Sequence, residues 1–146
     1  MAIKNNNISL GGVLVYKEVR GKRFFWLVGT ADGGWEIPKV TVRRGESSVR
    51  AVLRMTGETV GMNTRVLEEV GRHSSIILVN GKPIPQRLYY YLAVLKSAGE
   101  VLGFTKFQWL NYKKALKAIT LKREKEVLKS AENLLREWEK ERKKKR

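Results

Sequence analysis

The sequence contains no cysteine and a single histidine, His73. The missing cysteines exclude a disulfide framework, a zinc site built on thiolates and a cysteine nucleophile. One histidine cannot supply a histidine-based metal cluster, and a lone histidine is more often structural than catalytic. No run reaches the roughly 18 apolar residues of a membrane-spanning helix, and the first residues lack the pattern of an export signal. These absences predict a cytoplasmic protein outside the membrane.

Acidic residues are also scarce, with 14 Asp and Glu against 30 Lys and Arg and a formal net charge of +16. Such an excess of positive charge favours polyanionic partners. Half of the excess lies in residues 113–146, which hold 14 basic and 6 acidic residues. The sequence ends in EKERKKKR, which is interpreted either as a disordered solubilising tail or as an arm that binds phosphates. The basic residues elsewhere in the chain favour the arm.

The length and composition fit one domain, because 146 residues with 42% hydrophobic content can form a core without disulfide or metal staples. GGVLVYKE and KRFFWLVGT are β-branched and aromatic runs that predict two strands and a tight turn. GESSVRAVLRMTGETVG has apolar residues at helical spacing and predicts a helix that ends at Gly61. RVLEEVGRHSSIILVNGKPIPQRLYYYLAVLK predicts a long hairpin with its loop at NGKPIP.

Two helices are predicted further along the chain, a short one at NYKKALKAI and a long one in residues 120–146. The long helix has apolar residues on a single stripe, at helical spacing. The stripe consists of Val127, Leu128, Ala131, Leu134, Leu135 and Trp138. We expect this stripe to pack on the domain and the lysines of the helix to stay exposed.

The segment WEIPKVTVRRGESSVRAVLRMTGETVGM, residues 35–62, carries the most specific pattern in the chain. It resembles the signature of the Nudix hydrolases, G-x5-E-x7-R-E-U-x-E-E-x-G-U with U bulky and apolar, and the register needs no gap. WEIPK is similar to the family's usual lead-in. SLGGVLVY, QRLYYYLAVLK and the two closing helices also look like those of the family, so the resemblance covers nearly the whole chain.

The resemblance implies an α/β fold, a Nudix-type α/β/α sandwich with a mixed β-sheet, here with a long basic C-terminal helix. It divides the chain into a Nudix-like domain, residues 1–138, and a basic C-terminal tail, residues 139–146. Three framework residues match the family. Glu46 and Arg54 correspond to a glutamate and an arginine that brace the loop against the helix by an ion pair, and Gly61 to the glycine that lets the chain leave the helix.

Most metal-binding residues of the family signature are replaced. The opening glycine is Val40, and of three helix carboxylates only Glu58 remains, because the other two are Met55 and Thr59. The family uses Mg²⁺ to hydrolyse nucleoside diphosphate derivatives. Carboxylates at positions 55, 58 and 59 would share one helix face, and Mg²⁺ prefers their oxygens to a thioether. The resemblance therefore implies a chain without catalytic residues, bound metal or cofactor.

Basic residues surround the same segment, since residues 39–54 contain five cations and only Glu46 as an acid. Arginine binds phosphate oxygens through two hydrogen bonds, so this cluster favours a phosphate-binding surface over a metal site. An exposed basic helix without a special role is the alternative. The predicted nucleic-acid contacts are Lys39, Arg43, Arg44, Arg50, Lys143, Lys144, Lys145 and Arg146.

These observations predict a non-catalytic Nudix-fold protein that binds RNA as a component of the ribosome or of another ribonucleoprotein. Non-catalytic Nudix domains occur in proteins of pre-mRNA cleavage and of the mitochondrial ribosome, so ribosomal RNA and ribosomal proteins are the expected partners. A second interpretation is a hydrolase of a nucleoside diphosphate-linked substrate, with an atypical metal site that recruits Glu58, Glu36 or Glu68 and Glu69. A third is a scaffold that binds proteins through its last helix. The sequence predicts no oligomeric state.

Overall fold

The computed structural model describes residues 7–98 and 106–144. The elements of these residues, in chain order, are β1 (Ile8–Val19), β2 (Lys22–Gly29), β3 (Trp35–Glu36), β4 (Lys39–Thr41), α1 (Ser48–Arg54), a π-helical turn (Met55–Thr59), β5 (Met62–Val79), β6 (Lys82–Ala98), β7 (Phe107–Leu110), α2 (Tyr112–Ala118) and α3 (Lys122–Lys144). The predicted strands, hairpin and helices are therefore present. Within the described residues, no helix is long and apolar enough to cross a membrane.

The strands form one mixed sheet with the order β3-β2-β1-β6-β5, in which β4 also pairs with β1 and β7 with β2. The pair β1 and β6 is parallel, and every other pair is antiparallel. Alternate residues of β1 point to opposite faces of this sheet. Leu14 packs in one core cluster with Leu128 of α3, whereas Val13 packs in a second cluster with Val52 of α1. The helices thus cover both faces, which confirms the predicted α/β/α sandwich.

The predicted apolar stripe of α3 faces the sheet. Val127, Leu128, Ala131 and Leu135 are buried, and Leu134 and Trp138 are partly buried against the same core cluster. The helix continues to Lys144, so residues 139–144 of the predicted tail are helical. The predicted RNA contacts Lys145 and Arg146 lie outside the described residues.

The predicted long hairpin is formed by β5 and β6. Lys82 and both prolines of the predicted loop NGKPIP belong to β6, so the loop is shorter than predicted and consists of Asn80 and Gly81. These two residues have φ angles of 51° and 76°, and a two-residue type I′ turn requires such positive values. Pairing is regular from Gly71 to the turn, and all register irregularities lie before Gly71. The first described pair between β1 and β6 joins Ile8 to Gln86. The distal part of the hairpin therefore extends beyond the start of β1.

Candidate functional site

Arg54 and Glu46 form a two-point ion pair. Arg54 Nε donates to Glu46 Oε2 at 2.9 Å, and Arg54 Nη2 donates to Glu46 Oε1 at 2.9 Å. Arg54 Nη2 also donates to the carbonyl oxygen of Thr41 at 3.1 Å, and the Arg43 amide donates to Glu46 Oε1 at 3.0 Å. The pair thus ties α1 to the loop that follows β4, which is the bracing geometry expected for these two residues.

These contacts stabilise the ionised form of Glu46. The hydrogen bonds from Arg54, followed by the one from the Arg43 amide, lower the pKa of Glu46 from an ordinary 4.5 to about 2. The same pairing raises the pKa of Arg54. At neutral pH Glu46 is therefore a carboxylate whose two oxygens are already engaged.

Local signals set the two ends of the helical segment. The side chain of Ser47 caps α1 by accepting a hydrogen bond of 3.1 Å from the Arg50 amide. The π-helical turn follows α1 directly, and in it the Val60 amide donates to the Met55 carbonyl at 3.1 Å. Gly61 then adopts a φ of 76°, a conformation that favours glycine, and the chain leaves into β5.

Met55 points into the hydrophobic core. It is only 3% exposed and packs in one cluster with Trp26 and Tyr91. Glu58 and Thr59 are exposed instead. The predicted common face of positions 55, 58 and 59 therefore combines one buried and two exposed residues. A π-helical turn spans these positions, and its i to i+5 hydrogen bond changes the side-chain spacing from that of an α-helix.

The acidic side chains of this region do not fit a magnesium site. Within residues 7–98 and 106–144, no three His, Asp or Glu side chains are grouped so that they could hold a metal ion. Glu36 lies 3.6 Å from the Lys39 ammonium, and Glu69 lies 2.6 Å from Arg72. Mg²⁺ requires several oxygen ligands in near-octahedral geometry, and the exposed Glu58 supplies one carboxylate.

An open groove of ≈ 600 Å³ lies beside α1. It is lined by Arg43, Arg44, Gly45, Glu46, Arg50, Leu53, Arg54 and Glu58. Arg43, Arg44 and Arg50 are exposed. Among the described residues they form no ion pair, since Glu46 is bound by Arg54. The fold thus gathers three of the predicted RNA contacts around one concave surface, which we call the box groove.

Lys39 does not line the box groove. Its ammonium lies 2.5 Å from Glu124 Oε2 and donates to the Ile37 carbonyl at 2.7 Å. Glu124 is completely buried, and it accepts hydrogen bonds from the Ile37 amide at 2.9 Å and the Tyr90 hydroxyl at 2.6 Å. Burial, followed by the bond to Glu124, raises the pKa of Tyr90. The contact of Lys39 with RNA remains a prediction, and its observed partner is this buried carboxylate.

The Glu124 cluster is a feature that sequence analysis missed. The available signal was the position of Glu124, three residues before Val127 and therefore on the buried stripe of α3. An acid at such a position must find donors, because an unpaired buried charge is costly. Nothing in the local sequence identifies Lys39 as its partner, since the two residues are 85 positions apart.

The basic end of α3 is not brought together with the box groove. Arg142 lines a pocket with Glu18, at the end of β1. The groove lies near the start of β1, where the Val42 amide donates to the Ser9 carbonyl at 2.9 Å. Ser9 and Glu18 are about 30 Å apart along an extended strand. The predicted contacts at the end of α3, of which Lys143 and Lys144 are exposed, therefore form a separate basic region.

Two further arginines, Arg87 of β6 and Arg72 of β5, lie on the strands beyond β1 and were not predicted as RNA contacts. Ser9 pairs with Arg87 of β6 on one side and binds the Val42 amide on its other side. Neighbouring strands are about 4.8 Å apart, so the backbone of Arg87 lies about 10 Å from the backbone of Val42, where the loop with the groove arginines begins. On β5, the Arg72 guanidinium lies 5.2 Å from the centre of the Tyr89 ring. Strand alternation would have indicated that these side chains share one face.

Comparison with known proteins identifies the fold. No family model matches the sequence, and no curated protein matches it. A structure of a C. elegans Ap4A hydrolase binary complex matches with a TM-score of 0.71 and 22% identity, over 88% of this chain and 97% of that one. A MutT protein of Bacillus halodurans matches with a TM-score of 0.66 and 22% identity, over 84% and 80%. A Nudix hydrolase of M. smegmatis matches with a TM-score of 0.62 and 12% identity, over 90% and 87%. The chain has the fold of these proteins, as the resemblance implied.

Proposed function

We propose that this chain uses its Nudix fold to bind RNA at the box groove, without hydrolysing a nucleotide. One observation carries the proposal: Arg43, Arg44 and Arg50 are exposed around one groove and form no ion pair among the described residues. Of the two groove carboxylates, Glu46 is bound by Arg54. Three exposed cations around one groove, outnumbering its glutamates, attract a polyanion.

The chemistry of the groove suits a phosphodiester backbone. A guanidinium group donates two parallel hydrogen bonds to phosphate oxygens and keeps its charge at every relevant pH. Arg43 and Arg44 are placed by a loop that the Glu46 ion pair fixes, and Arg50 by α1. Side chains on such a fixed frame lose less conformational freedom on binding than side chains of a mobile segment would.

Nudix chemistry at this groove would need metal ligands that the described residues do not assemble. Met55 packs among aromatic and aliphatic side chains, and Glu58 is the single carboxylate left on the turn. A hydrolase with an atypical metal site is the alternative, with Glu36, Glu58, Glu68 and Glu69 as its candidate ligands. The proposal of RNA binding is favoured because the groove has four arginines and two glutamates on its lining.

We further propose that the bound RNA belongs to a ribonucleoprotein such as the ribosome. This step rests on the net charge of +16 in 146 residues and on the lysines and arginines at the end of α3. Because the end of α3 and the box groove are separate basic regions, two segments of one RNA can contact the protein at once, one at each region. Ribosomal RNA and ribosomal proteins are the partners to test first.

A salt series tests the proposal. Fluorescence anisotropy with a labelled single-stranded RNA should give an affinity whose logarithm falls linearly with log salt, with a slope of roughly −0.7 per phosphate contact. Alanine at Arg43, Arg44 and Arg50 together should weaken binding and flatten this slope. The matched control replaces Lys113, Lys114 and Lys117, three exposed cations of α2 on the opposite face of the sheet, and should bind almost normally.

Deleting residues 143–146 should weaken binding to all RNA sequences alike, but less than the groove variant does. Lysines at the end of α3 add charge without reading bases. No measurable affinity at low salt would refute RNA binding. Loss of binding on the deletion alone, with the groove variant unaffected, would assign the function to the end of α3. Turnover of nucleoside diphosphate derivatives near 1 per second with Mg²⁺ or Mn²⁺, an ordinary enzymatic rate, would favour the hydrolase instead.

A further inference from the structure

The outer edge of β5 is an unprotected strand edge in the distal hairpin. Along the sheet, β5 is the last strand, and within residues 7–98 and 106–144 it pairs only with β6. Three register irregularities disturb β5 between Asn63 and Gly71, but none lies between Gly71 and Val79. Residues 74–81 contain no charged side chain. Bulges, prolines and lysines are the usual protection of edge strands, and this stretch has none of them.

Two prolines show which backbone groups point outward. A proline cannot donate to a strand ladder, so Pro83 and Pro85 must occupy positions whose N–H would face away from β5. Their partners in the register are Leu78 and Ile76. In an antiparallel ladder both members of such a pair direct N–H and C=O away from each other. The amides and carbonyls of Ile76 and Leu78 therefore point to the free side of β5.

The geometry of the turn gives the same assignment independently. A two-residue type I′ turn closes on a hydrogen-bonded pair, which here is Val79 with Lys82. Alternation along the ladder then makes Leu78 and Ile76 outward-facing, followed by Ser74. The opposite edge of the hairpin is different, because Pro83 and Pro85 leave it no donors at the corresponding positions. One edge of this hairpin is blocked and the other is open.

The side chains beside the open edge are apolar and exposed. Ile76 is 72% exposed and Leu78 is 75% exposed, which are the highest values among the large hydrophobic residues described. Both lie on the same face of the hairpin as Pro83 and Pro85, since they pair directly with them. The edge therefore combines a row of outward N–H and C=O groups with exposed apolar side chains. Such an edge can pair with a further β-strand.

We propose that this edge pairs with the same edge of a second copy of the chain, antiparallel and about a two-fold axis at Ile76. An antiparallel strand is complementary to itself, as a two-fold contact requires. In this register Ile76 faces Ile76 of the second copy, and Ser74 faces its Leu78. Arg72, the first charged residue on the edge, faces Asn80 of the second copy. No like charges are therefore opposed, although each chain carries +16.

Other occupants fit this edge less well. RNA has no alternating row of donors and acceptors at the spacing of a strand, and it prefers cations to the uncharged segment 74–81. A strand from another protein would form the same backbone hydrogen bonds, but no side chain on the edge gives specificity for such a strand. The contact is short compared with the roughly 800 Å² per partner of a stable interface, so we expect a weak, concentration-dependent dimer. This inference does not depend on the proposed RNA binding.

Pairing of β5 with β5 of a second copy would also place the two box grooves on the same side of the joined sheet. The two-fold axis would stand perpendicular to the joined sheet, so corresponding faces of both copies would point the same way. The face with Ile76 continues through Tyr89 to the cluster beneath α1. If RNA binds at the box groove as proposed above, the dimer would hold two such sites for a single RNA and increase its avidity.

Sedimentation of the full chain tests the dimer. The mass should rise from 16.8 kDa toward twice that value between about 1 µM and about 500 µM, the range in which micromolar dissociation constants are measurable. Ile76→Lys opposes two like charges at the axis and should weaken the dimer at least about tenfold. Ile76→Pro removes the outward N–H without removing a hydrogen bond to β6, and it should also weaken the dimer. Val19→Lys is the matched control, an exposed apolar residue elsewhere, and should leave the dimer unchanged.

Hydrogen exchange identifies the surface. At high concentration the amides of Ile76 and Leu78 should become protected, whereas those of Ile77 and Val79 are bonded to β6 and should be protected at every concentration. Melting curves confirm that each variant is folded. A chain that stays monomeric, a dimer insensitive to both Ile76 variants, or a dimer without added protection at Ile76 and Leu78 overturns the proposal. Protection that arises only when RNA is added assigns the edge to RNA and also overturns it.

Discussion

Arg54 holds both carboxylate oxygens of Glu46, with two N–O distances of 2.9 Å. The same guanidinium reaches the Thr41 carbonyl, so one side chain joins the end of α1, the loop before it and the strand β4. These contacts involve neither a metal nor a ligand. The pair therefore has a structural role that rests on protein contacts.

Removing the guanidinium should destabilise the fold. We expect Arg54→Ala to lower the melting temperature by a few degrees, because Glu46 loses both hydrogen bonds from the side chain. Arg54→Lys should recover part of the loss, since an ammonium makes a single contact where the guanidinium makes two. Arg50→Ala, at an exposed arginine of the same helix, is the control for charge. Circular dichroism measures the melting temperatures. Equal values for Arg54→Ala and Arg50→Ala would contradict the structural role of the pair between Arg54 and Glu46.

The ion pair should also give stability a specific pH dependence. The folded pKa of Glu46, about 2, lies below its ordinary value of 4.5. A lowered folded pKa means that the contribution is fully present above pH 4.5 and is lost as the pH falls toward 2. The difference in melting temperature between the wild type and Glu46→Gln should therefore shrink across this interval. A difference that is constant from pH 7 to pH 2 would show that the charge of Glu46 does not matter.

Lys39 should contribute to stability through the buried Glu124. Replacing Lys39 with methionine leaves a completely buried carboxylate without its cation, which costs about 3–5 kcal/mol when such a pair is broken. The double variant Lys39→Met with Glu124→Gln should recover much of this loss, because the neutral amide needs no counter-charge. Urea unfolding measures both. If the effects of the two substitutions on the free energy of unfolding were additive, Lys39 and Glu124 would not interact. A separate measurement of RNA affinity tests the predicted contact of Lys39: unchanged affinity in folded Lys39→Met would show that Lys39 is not part of the binding surface.

Met55 tests whether the family's carboxylate fits this chain. Met55→Glu should cost about 4 kcal/mol or more, because it puts an unpaired carboxylate among Trp26, Tyr91 and their neighbours. The cost should be larger at pH 8 than at pH 5, since burial favours the neutral acid. Met55→Leu conserves volume and should cost less than about 1.5 kcal/mol. Near-neutral behaviour of Met55→Glu would mean that position 55 is accessible to water.

Restoration of the signature extends this test. Val40→Gly, Met55→Glu and Thr59→Glu together supply the missing family residues, and binding of Mg²⁺ to the folded state would raise the melting temperature as the ion concentration increases. Because position 55 is buried whereas positions 58 and 59 are exposed, we expect little Mg²⁺-dependent stabilisation. A clear rise would show that a carboxylate at position 55 can leave the core and join the exposed ones.

The sequence alone determined the main elements and their inner faces. The β-branched and aromatic runs GGVLVYKE and KRFFWLVGT, the Asn-Gly pair of the hairpin loop and the stripe from Val127 to Trp138 are local patterns. They appear in the structure as strands, a turn and a buried helix face, respectively. The resemblance of residues 35–62 to the Nudix signature likewise implied the ion pair of Glu46 and Arg54, which the structure shows. Such features depend on residues a few positions apart, whose geometry the backbone period sets.

Tertiary structure alone decided what surrounds the site. Met55 points inward because a π-helical turn and a neighbouring apolar cluster determine its environment, and Lys39 turns to Glu124 across 85 positions of sequence. The separation of the groove from the basic end of α3, and the open edge beside Ile76, follow from the order of strands in the sheet. Local propensity cannot fix these relations, because they depend on which distant segments the hydrophobic core brings into contact.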